Sequence, residues 1–281
     1  MMKNILVPTD FSDNAWDALT YAIRMYDDIP CCFYILNTFE VNPSPVSSTM
    51  HQFGARKIYE ILNNESRDEL QKLLKHLNEN MLNDKHTYKT VSRSGALVPI
   101  VQDIVHKENI DMIVMGTTGA SGLKEVFMGS NTVKVVKHIN TCPIISVPEK
   151  YVYEEPTKVV FATDFKNHLG EMELRSLIEL QIIHNFKIHF FYVKKNSELS
   201  EKQQYNMRLL KNNFSEDVFV INENQSDTSL SEIITEFAED QEVNMICLVN
   251  HEHSFIEKLT HEPVIKKVSF HSAIPLLILP V

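Results

Sequence analysis

An internal repeat is the feature of this sequence that most limits its possible folds. Three segments of the first half recur in the same order in the second half: KNILVPTDFSDN (3–14) and TKVVFATDFKNH (157–168), DMIVMG (111–116) and NMICLV (244–249), and CPIISVP (142–148) and IPLLILP (274–280). Matches in one order indicate a duplicated domain. The length of 281 residues also fits two domains of ordinary size.

The repeat predicts domain boundaries and one difference in length. Prolines and charges interrupt the apolar pattern near residues 148–157, so we expect one domain at 1–150 and a second at 151–281. The offset between matching segments falls from 154 to 132 along the chain, so the second copy is shorter by about twenty residues. We expect the missing part to lie opposite the Pro/Ser-rich stretch 41–54, which is typical of a loop.

Within the first copy, apolar runs alternate with amphipathic segments. Ala15, Leu19, Ala22, Ile23 and Tyr26 recur at helical spacing after the first run. The expected strands are ILVPTD, CCFYILNTF, HTYKTVSRSG, MIVMG and PIISVP, and the expected helices are SDNAWDALTYAIRMYD, residues 56–83, ALVPIVQDIVHKEN and NTVKVVKHIN. Apolar strands separated by helices are typical of a parallel sheet covered on both faces. The predicted fold class is therefore α/β, with two tandem, doubly wound, Rossmann-like parallel-sheet domains.

Charge and cysteine content exclude several classes of protein. The formal net charge is −10, and the sequence lacks the clustered Lys and Arg that a nucleic-acid or anionic-membrane surface needs. No stretch reaches the roughly 20 apolar residues of a membrane-spanning helix. Cys31, Cys32, Cys142 and Cys247 have no C-x-x-C spacing, and three of them lie in apolar runs, which predicts buried free thiols in a reducing compartment. We therefore expect a cytoplasmic protein.

Four of the seven glycines lie within MGTTGASGLKEVFMGSN, residues 115–131. This segment connects an expected strand end to an expected helix start, which is where ligands bind in such folds. Glycine lets the backbone approach a ligand closely, and the free amide groups at a helix start attract phosphate. A flexible turn with a helix cap is the alternative, and Ser130 can either cap the helix or bind a phosphate oxygen. The P-loop and G-x-G-x-x-G patterns are both absent.

The spacing Gly116-x2-Gly119-x9-Gly129-Ser130 resembles the G-2x-G-9x-G-[ST] signature of ATP-binding universal stress proteins. The ILVPTDFS and CPIISVP segments are similar to that family's first and last strands, and the resemblance covers the whole chain as two tandem universal stress domains. It implies the adenine nucleotide alpha hydrolase-like fold, with ATP, ADP or AMP as ligand and Mg²⁺ as a further candidate. It also implies nucleoside contacts from Pro8, Thr9, Asp10, Thr38, Met115 and Gly116, and phosphate contacts from Gly119, Gly129, Ser130 and Asn131. For Thr9 and Asp10, a capped turn after the strand is the alternative.

The second copy departs from this signature. It keeps Thr163 and Asp164, but NHEHSFIEKLTHEP (250–263) replaces the glycine segment and places Glu252 near the position of Gly119. His261 and Glu262 likewise stand opposite Gly129 and Ser130. Carboxylates repel phosphate, so we expect one nucleotide site, in the first domain. His251, His253 and His261 have the chemistry to bind zinc, but solvated loop histidines without a metal are the preferred interpretation.

These observations favour a nucleotide-binding stress-response protein that acts as a sensor or regulator. The alternatives are a slow ATPase or autophosphorylating enzyme and a partner-binding module without nucleotide. No catalytic residue is assigned, because no base is clearly poised over the terminal phosphate. Universal stress domains typically dimerise through their last strands, so the resemblance implies an internal pseudo-dimer that pairs CPIISVP with IPLLILP. Association of two chains into a homodimer stays open.

Overall fold

Strands and helices alternate along the chain, which confirms the predicted α/β class. The computed structural model describes residues 2–41, 49–117, 129–193, 198–214, 218–222, 230–250 and 274–280. The strands are β1 (Lys3–Pro8), β2 (Cys31–Phe39), β3 (His86–Ser94), β4 (Met112–Gly116), β5 (Ile144–Val147), β6 (Lys158–Ala162), β7 (Lys187–Val193), β8 (Val218–Asn222), β9 (Met245–Val249) and β10 (Leu276–Leu279). The helices are α1 (Asp13–Met25), α2 (Thr49–Asn80), α3 (Leu97–Lys107), α4 (Ser130–His138), α5 (Glu171–His184), α6 (Glu201–Asn213) and α7 (Leu230–Asp240).

The described strands form one sheet in the order β3-β2-β1-β4-β5-β10-β9-β6-β7-β8. Strands within each half pair in parallel. The central strands β5 and β10 pair antiparallel, with Ile145 opposite Leu277, which confirms the predicted pairing of CPIISVP with IPLLILP. Each of these apolar strands covers the other's edge. Because this pair is antiparallel, the carboxyl ends of the strands in the two halves lie at opposite edges of the sheet.

Helices cover both faces of the sheet over two apolar cores. Helices α1, α2, α5 and α6 pack over one face, and α3, α4 and α7 pack over the other. Successive strand residues alternate between the cores, as Cys31 and Cys32 do. All four cysteines are buried and free, which confirms that prediction. In the described ranges, no helix combines the length and the apolar composition that crossing a membrane requires.

The starts of two helices follow directly from local sequence. Helix α1 begins after Ser12, whose hydroxyl accepts a hydrogen bond from the Ala15 amide at 3.3 Å. The apolar face predicted for this helix is confirmed, because all five of its predicted residues are buried. Pro99 lies in the first turn of α3, where its missing amide hydrogen costs little.

Helix α2 differs from its prediction. We expected a helix over 56–83 after a loop over 41–54, but α2 extends over Thr49–Asn80. The loop prediction is wrong for 49–54, because these residues include no proline and one glycine inside a helix costs only about 1 kcal/mol. Residues 42–48 lie outside the described ranges. The helix has 32 residues and α6, its counterpart, has 13, so the expected shortening of the second half falls largely within this helix.

Side chains also join the two halves beside the central strands. The Lys3 ammonium on β1 lies 2.7 Å from the Glu179 carboxylate on α5. Tyr21 of α1 packs edge-on against Tyr151, which belongs to the segment between β5 and β6. The halves are therefore held together by side-chain packing as well as by the β5–β10 hydrogen bonds.

Candidate functional site

The carboxyl ends of β1, β2 and β4 lie side by side at one edge of the sheet. Pro8 pairs with Leu36 in the β1–β2 ladder, and Leu6 pairs with Ile113 in the β1–β4 ladder. Just beyond β1, the Thr9 amide donates to the Leu36 carbonyl at 2.8 Å. The residues that follow these three strands therefore share one edge, which is where parallel α/β sheets bind ligands.

Thr9 and Asp10 form a turn directly after β1. The Thr9 hydroxyl accepts a hydrogen bond from the Phe11 amide at 3.0 Å. One Asp10 carboxylate oxygen accepts from the Ser12 amide at 3.1 Å and from the Ser12 hydroxyl at 2.6 Å. These bonds hold Phe11 at a φ of 63°, a conformation that non-glycine residues rarely adopt. The predicted capped turn is thus present, and it leaves the exposed Asp10 carboxylate at the surface of this edge, where it can accept from a ligand hydroxyl.

Gly116 is packed too closely for any side chain. A Cβ atom at this position would lie 2.7 Å from Cγ and 2.9 Å from the backbone oxygen of Asn14, in the first turn of α1. Asn14 is held in place because its Nδ2 donates to the Val147 carbonyl at 3.2 Å. The adjacent Met115 is only 5% exposed, and its side chain belongs to the core beneath α3 and α4. The glycine at 116 therefore has a packing cause that is independent of any ligand.

Helix α4 starts beside the end of β4. The Thr132 hydroxyl donates to the Gly116 carbonyl at 2.7 Å, and the Gly129 amide donates to the Thr117 carbonyl. Both bonds hold the first turn of α4 at the edge that carries the β1 turn. The amide groups of a first turn have no acceptor within the helix, and the helix dipole favours a negative charge there. This end of α4 can therefore bind an anion.

The cap of α4 tests one of the two roles considered for Ser130. The N-cap residue is Gly129, and no side chain bonds to the helix end there. Ser130 is the first helical residue and is exposed, as is Asn131. The capping role is wrong, because the helix begins one residue earlier than a Ser130 cap requires. Gly119 lies outside the described residues.

The predicted site residues that the structure describes all lie along this one edge. Thr38, near the end of β2, is half-buried and pairs with Arg93 of β3. The predicted residues at the edge are Pro8, Thr9, Asp10, Thr38, Met115, Gly116, Gly129, Ser130 and Asn131. Three supporting residues were missed: Asn14, Asn37 and Thr132. Asn37 is buried and its Nδ2 donates to the Thr9 carbonyl at 2.8 Å. The sequence does contain a signal for Asn37, because it is the only asparagine inside the apolar run CCFYILNTF.

Comparison with known proteins assigns the family. The Universal stress protein family model matches residues 1–148, more than half of the chain. The chain belongs to the universal stress protein family. Universal stress protein MJ0531 of Methanocaldococcus jannaschii is 29% identical over 147 residues, which are 52% of this chain and 82% of that relative. Universal stress protein YxiE of Bacillus subtilis is 27% identical over 151 residues, 52% of this chain and 99% of that relative.

A solved structure extends the likeness beyond the first half. The universal stress protein from Archaeoglobus fulgidus superposes with a TM-score of 0.65 and covers 99% of this chain and 96% of its own. The two sequences are 16% identical, so the likeness concerns the fold alone. The likeness in fold therefore extends to the described residues after 148.

The second half of this universal stress protein has a different edge. The Asn250 amide donates to the Leu279 carbonyl of β10, and the Thr117 amide donates to the Val147 carbonyl of β5, each at 2.9 Å. Asn250 therefore corresponds to Thr117, and Val249, the residue before it, corresponds to Gly116. Val249 is buried, and its side chain belongs to the core on the face covered by α1 and α5, whereas Gly116 has no side chain. The residues expected to replace the glycine segment, with the three candidate zinc ligands, lie outside the described residues: His251, Glu252, His253, His261 and Glu262.

The turn after the first strand recurs in the second half but is covered there. The Thr163 hydroxyl accepts from the Phe165 amide at 3.1 Å, and Phe165 has a φ of 56°. Helix α6 holds this turn, because Asn206 Nδ2 donates to the Phe165 carbonyl and Gln203 Nε2 to the Asp164 carbonyl, each at 2.8 Å. Phe165 is fully buried as a result.

In the first half a cleft of about 260 Å³ separates the same turn from α2, between Phe11, Trp16, Leu73 and His76. Trp16 and His76 meet edge-on at 5.1 Å across it. This cleft lies on the face covered by α1 and α2, whereas α4 covers the opposite face. Thr9 and Ser12 also line it, so the cleft adjoins the edge that the α4 amides face, on the side of the sheet opposite to α4.

Proposed function

We propose that this universal stress protein binds an adenine nucleotide, ATP, ADP or AMP, at one site in its first half. The observation that carries this proposal is the bond from Thr132 to the Gly116 carbonyl, which holds the free amides of α4 at the edge shared by β1, β2 and β4. An anion-binding helix start beside an exposed carboxylate, Asp10, suits a ligand with a phosphate at one end and hydroxyl groups at the other.

The roles within the site follow from position. Gly129, Ser130 and Asn131 at the start of α4, with Gly119, bind the phosphates through amide and hydroxyl donors. Around the nucleoside, Asp10 accepts from ribose hydroxyls, and the remaining contacts come from Pro8, Thr9, Thr38, Met115 and Gly116. Mg²⁺ is a candidate companion of the phosphates, without an assigned protein ligand.

The two halves are, in this proposal, tandem universal stress domains at 1–150 and 151–281, of which only the first binds nucleotide. The buried Val249 at the position of Gly116 and the covered turn at Phe165 support a second domain adapted to packing. The physiological role is that of a sensor or regulator whose state follows nucleotide occupancy. The buried free thiols support a reducing, cytoplasmic location.

Calorimetric titration of the full chain with ATP tests the proposal, with Ser130→Asp as the decisive variant. Asp at the first position of α4 stabilises the helix through its dipole, so folding is preserved. The same carboxylate repels phosphate, and we expect the Kd for ATP to rise at least about tenfold. Ser200→Asp, at the start of α6, is the matched control: Asp also caps helices well, and ATP affinity should not change.

The titration also separates the competing functions. Saturable binding of one ATP without release of phosphate supports the sensor. Phosphate release that Ser130→Asp abolishes supports a slow ATPase. Absence of binding by the unmodified chain contradicts the proposal and favours a partner-binding module.

A further inference from the structure

Helix α2 carries apolar side chains on a face that points away from the sheet. Ile58 and Ile61 are each 47% exposed, whereas Leu70 and Leu77 of the same helix are buried against β2 and β3. The exposed and buried sets are on different faces at helical spacing. Two half-exposed isoleucines three residues apart form one continuous apolar stripe.

This stripe lies beside the carboxyl end of β3. The Ser66 hydroxyl lies 2.8 Å from the hydroxyl of Ser92, two residues before β3 ends. From Ser66 back to Thr49 the helix extends about 25 Å, whereas β3 extends only about 7 Å past Ser92. Ile61 lies about 7.5 Å back from Ser66 and is therefore level with the end of β3. Tyr59 contacts Phe39 of β2 with ring centroids 5.8 Å apart, so this part of α2 stays on the domain and carries Ile58 and Ile61 on its exposed face. The 13 residues of α6 provide no equivalent in the second half.

The charges along α2 differ in whether they are paired. Within the helix, Arg56 pairs with Glu60 at 3.1 Å and Lys72 with Glu69 at 2.6 Å. Lys57 and Glu65 take part in no ion pair with any residue that the structure describes. They lie four residues before and four residues after Ile61, on the exposed face.

Gly54 adds a second feature to the same face. It lies four residues before Ile58, and a Cβ atom there would meet nothing within 4 Å. Glycine inside a helix costs about 1 kcal/mol relative to alanine, and nothing in the surrounding described residues requires it. A residue without a side chain, next to a stripe of isoleucines, allows another helix to approach closely.

We infer that this face, defined by Gly54, Lys57, Ile58, Ile61 and Glu65, binds α2 of a second molecule of this chain. In an antiparallel pair with a two-fold axis at Ile61, Lys57 of each molecule meets Glu65 of the other, so two ion pairs flank the isoleucines. The charge pattern is self-complementary only in this orientation. The central strand edges, β5 and β10, are already paired within the chain, so a second molecule has to bind elsewhere. The inference does not depend on nucleotide binding.

Sedimentation velocity of the full chain over a range of concentrations tests this interface. The unmodified chain should form a concentration-dependent dimer. Ile61→Glu places two carboxylates on the axis and should leave only monomer. Ile182→Glu, on α5, replaces another exposed isoleucine outside the face and should leave the dimer unchanged.

Charge reversal fixes the orientation. Lys57→Glu and Glu65→Lys each replace two attractive pairs with two repulsive ones and should raise the dimer Kd by at least about tenfold. The double variant restores opposite charges and should return the Kd to within about threefold of the original. A monomer at every concentration, or a dimer that Ile61→Glu leaves intact, overturns the inference. A double variant as weak as the single ones overturns the antiparallel arrangement.

Discussion

The turn after the first strand is built in the same way in both halves, but its surroundings differ. Thr9 and Thr163 each accept a hydrogen bond from the backbone two residues later, at 3.0 and 3.1 Å, and the phenylalanines at that position have φ values of 63° and 56°. The turn is therefore present in both halves, including the one whose sequence lacks the glycine segment. Thr-Asp-Phe alone is therefore not evidence for a nucleotide.

The elements that hold the turn distinguish the halves. In the first half Asn37 donates to the turn from the neighbouring strand β2, and a cleft lies between the turn and α2. In the second half Asn206 donates from α6 and the turn is covered. The two halves thus differ in what surrounds a shared turn, and the following variants test that difference.

The largest effect is expected from a side chain at Gly116. Gly116→Ala should lower the free energy of unfolding by about 3 kcal/mol, because the new Cβ collides with the backbone of Asn14. At the counterpart position, Val249→Ala should cost only about 1–2 kcal/mol, since only two methyl groups are lost. Urea unfolding measures both. A Gly116→Ala chain that stays stable but loses ATP binding would assign this glycine to the ligand.

An intermediate effect is expected at the two asparagines that hold the turns. Asn37→Ala and Asn206→Ala should each lower the free energy of unfolding by about 2 kcal/mol, because each leaves a carbonyl without its donor. Only Asn37→Ala should also weaken ATP binding, since it loosens the turn at the proposed site. Thermal unfolding and calorimetric titration give the two readouts. Equal weakening of ATP binding by Asn206→Ala would contradict the assignment of the site to the first half.

The smallest effect concerns pH and comes from His184, at the end of α5. Burial lowers the pKa of His184 more than the Glu155 carboxylate, 3.6 Å away, raises it. The unfolded chain therefore binds this proton more readily, so stability is complete above the ordinary histidine pKa of about 6.5 and is lost as the pH falls below it.

Replacing His184 removes this contribution. His184→Gln should lose less stability than the unmodified chain between pH 7 and pH 5, as measured by unfolding at each pH. Burial, followed by the charges of Lys158 and Lys187, also lowers the pKa of His189, so some acid sensitivity should remain. Identical pH profiles for the two proteins would show that His184 is not desolvated in the fold.

The sequence alone determined the elements that depend on local pattern. The succession of strands and helices along the first half, the apolar face of α1 and the burial of the four cysteines were all predicted, because periodicity and apolar runs report how each segment meets a core. The repeat identified CPIISVP and IPLLILP as equivalent segments, and the resemblance to universal stress proteins implied that they pair. The start of α2 was predicted least well from the sequence. Thr49 to Gly54 contain no proline that would stop a helix, and they also lack the apolar residues at helical spacing that would indicate one.

Only the tertiary structure decided what the site residues contact. Gly116 is small because Asn14, 102 positions earlier in the chain, lies against it, and Asn14 is held by Val147, 133 positions later. Gly129 caps α4 in place of Ser130 because Thr132 and Thr117 hold the helix start at the end of β4. Contacts over such separations depend on how strands register and helices pack, and no window of local sequence contains both partners.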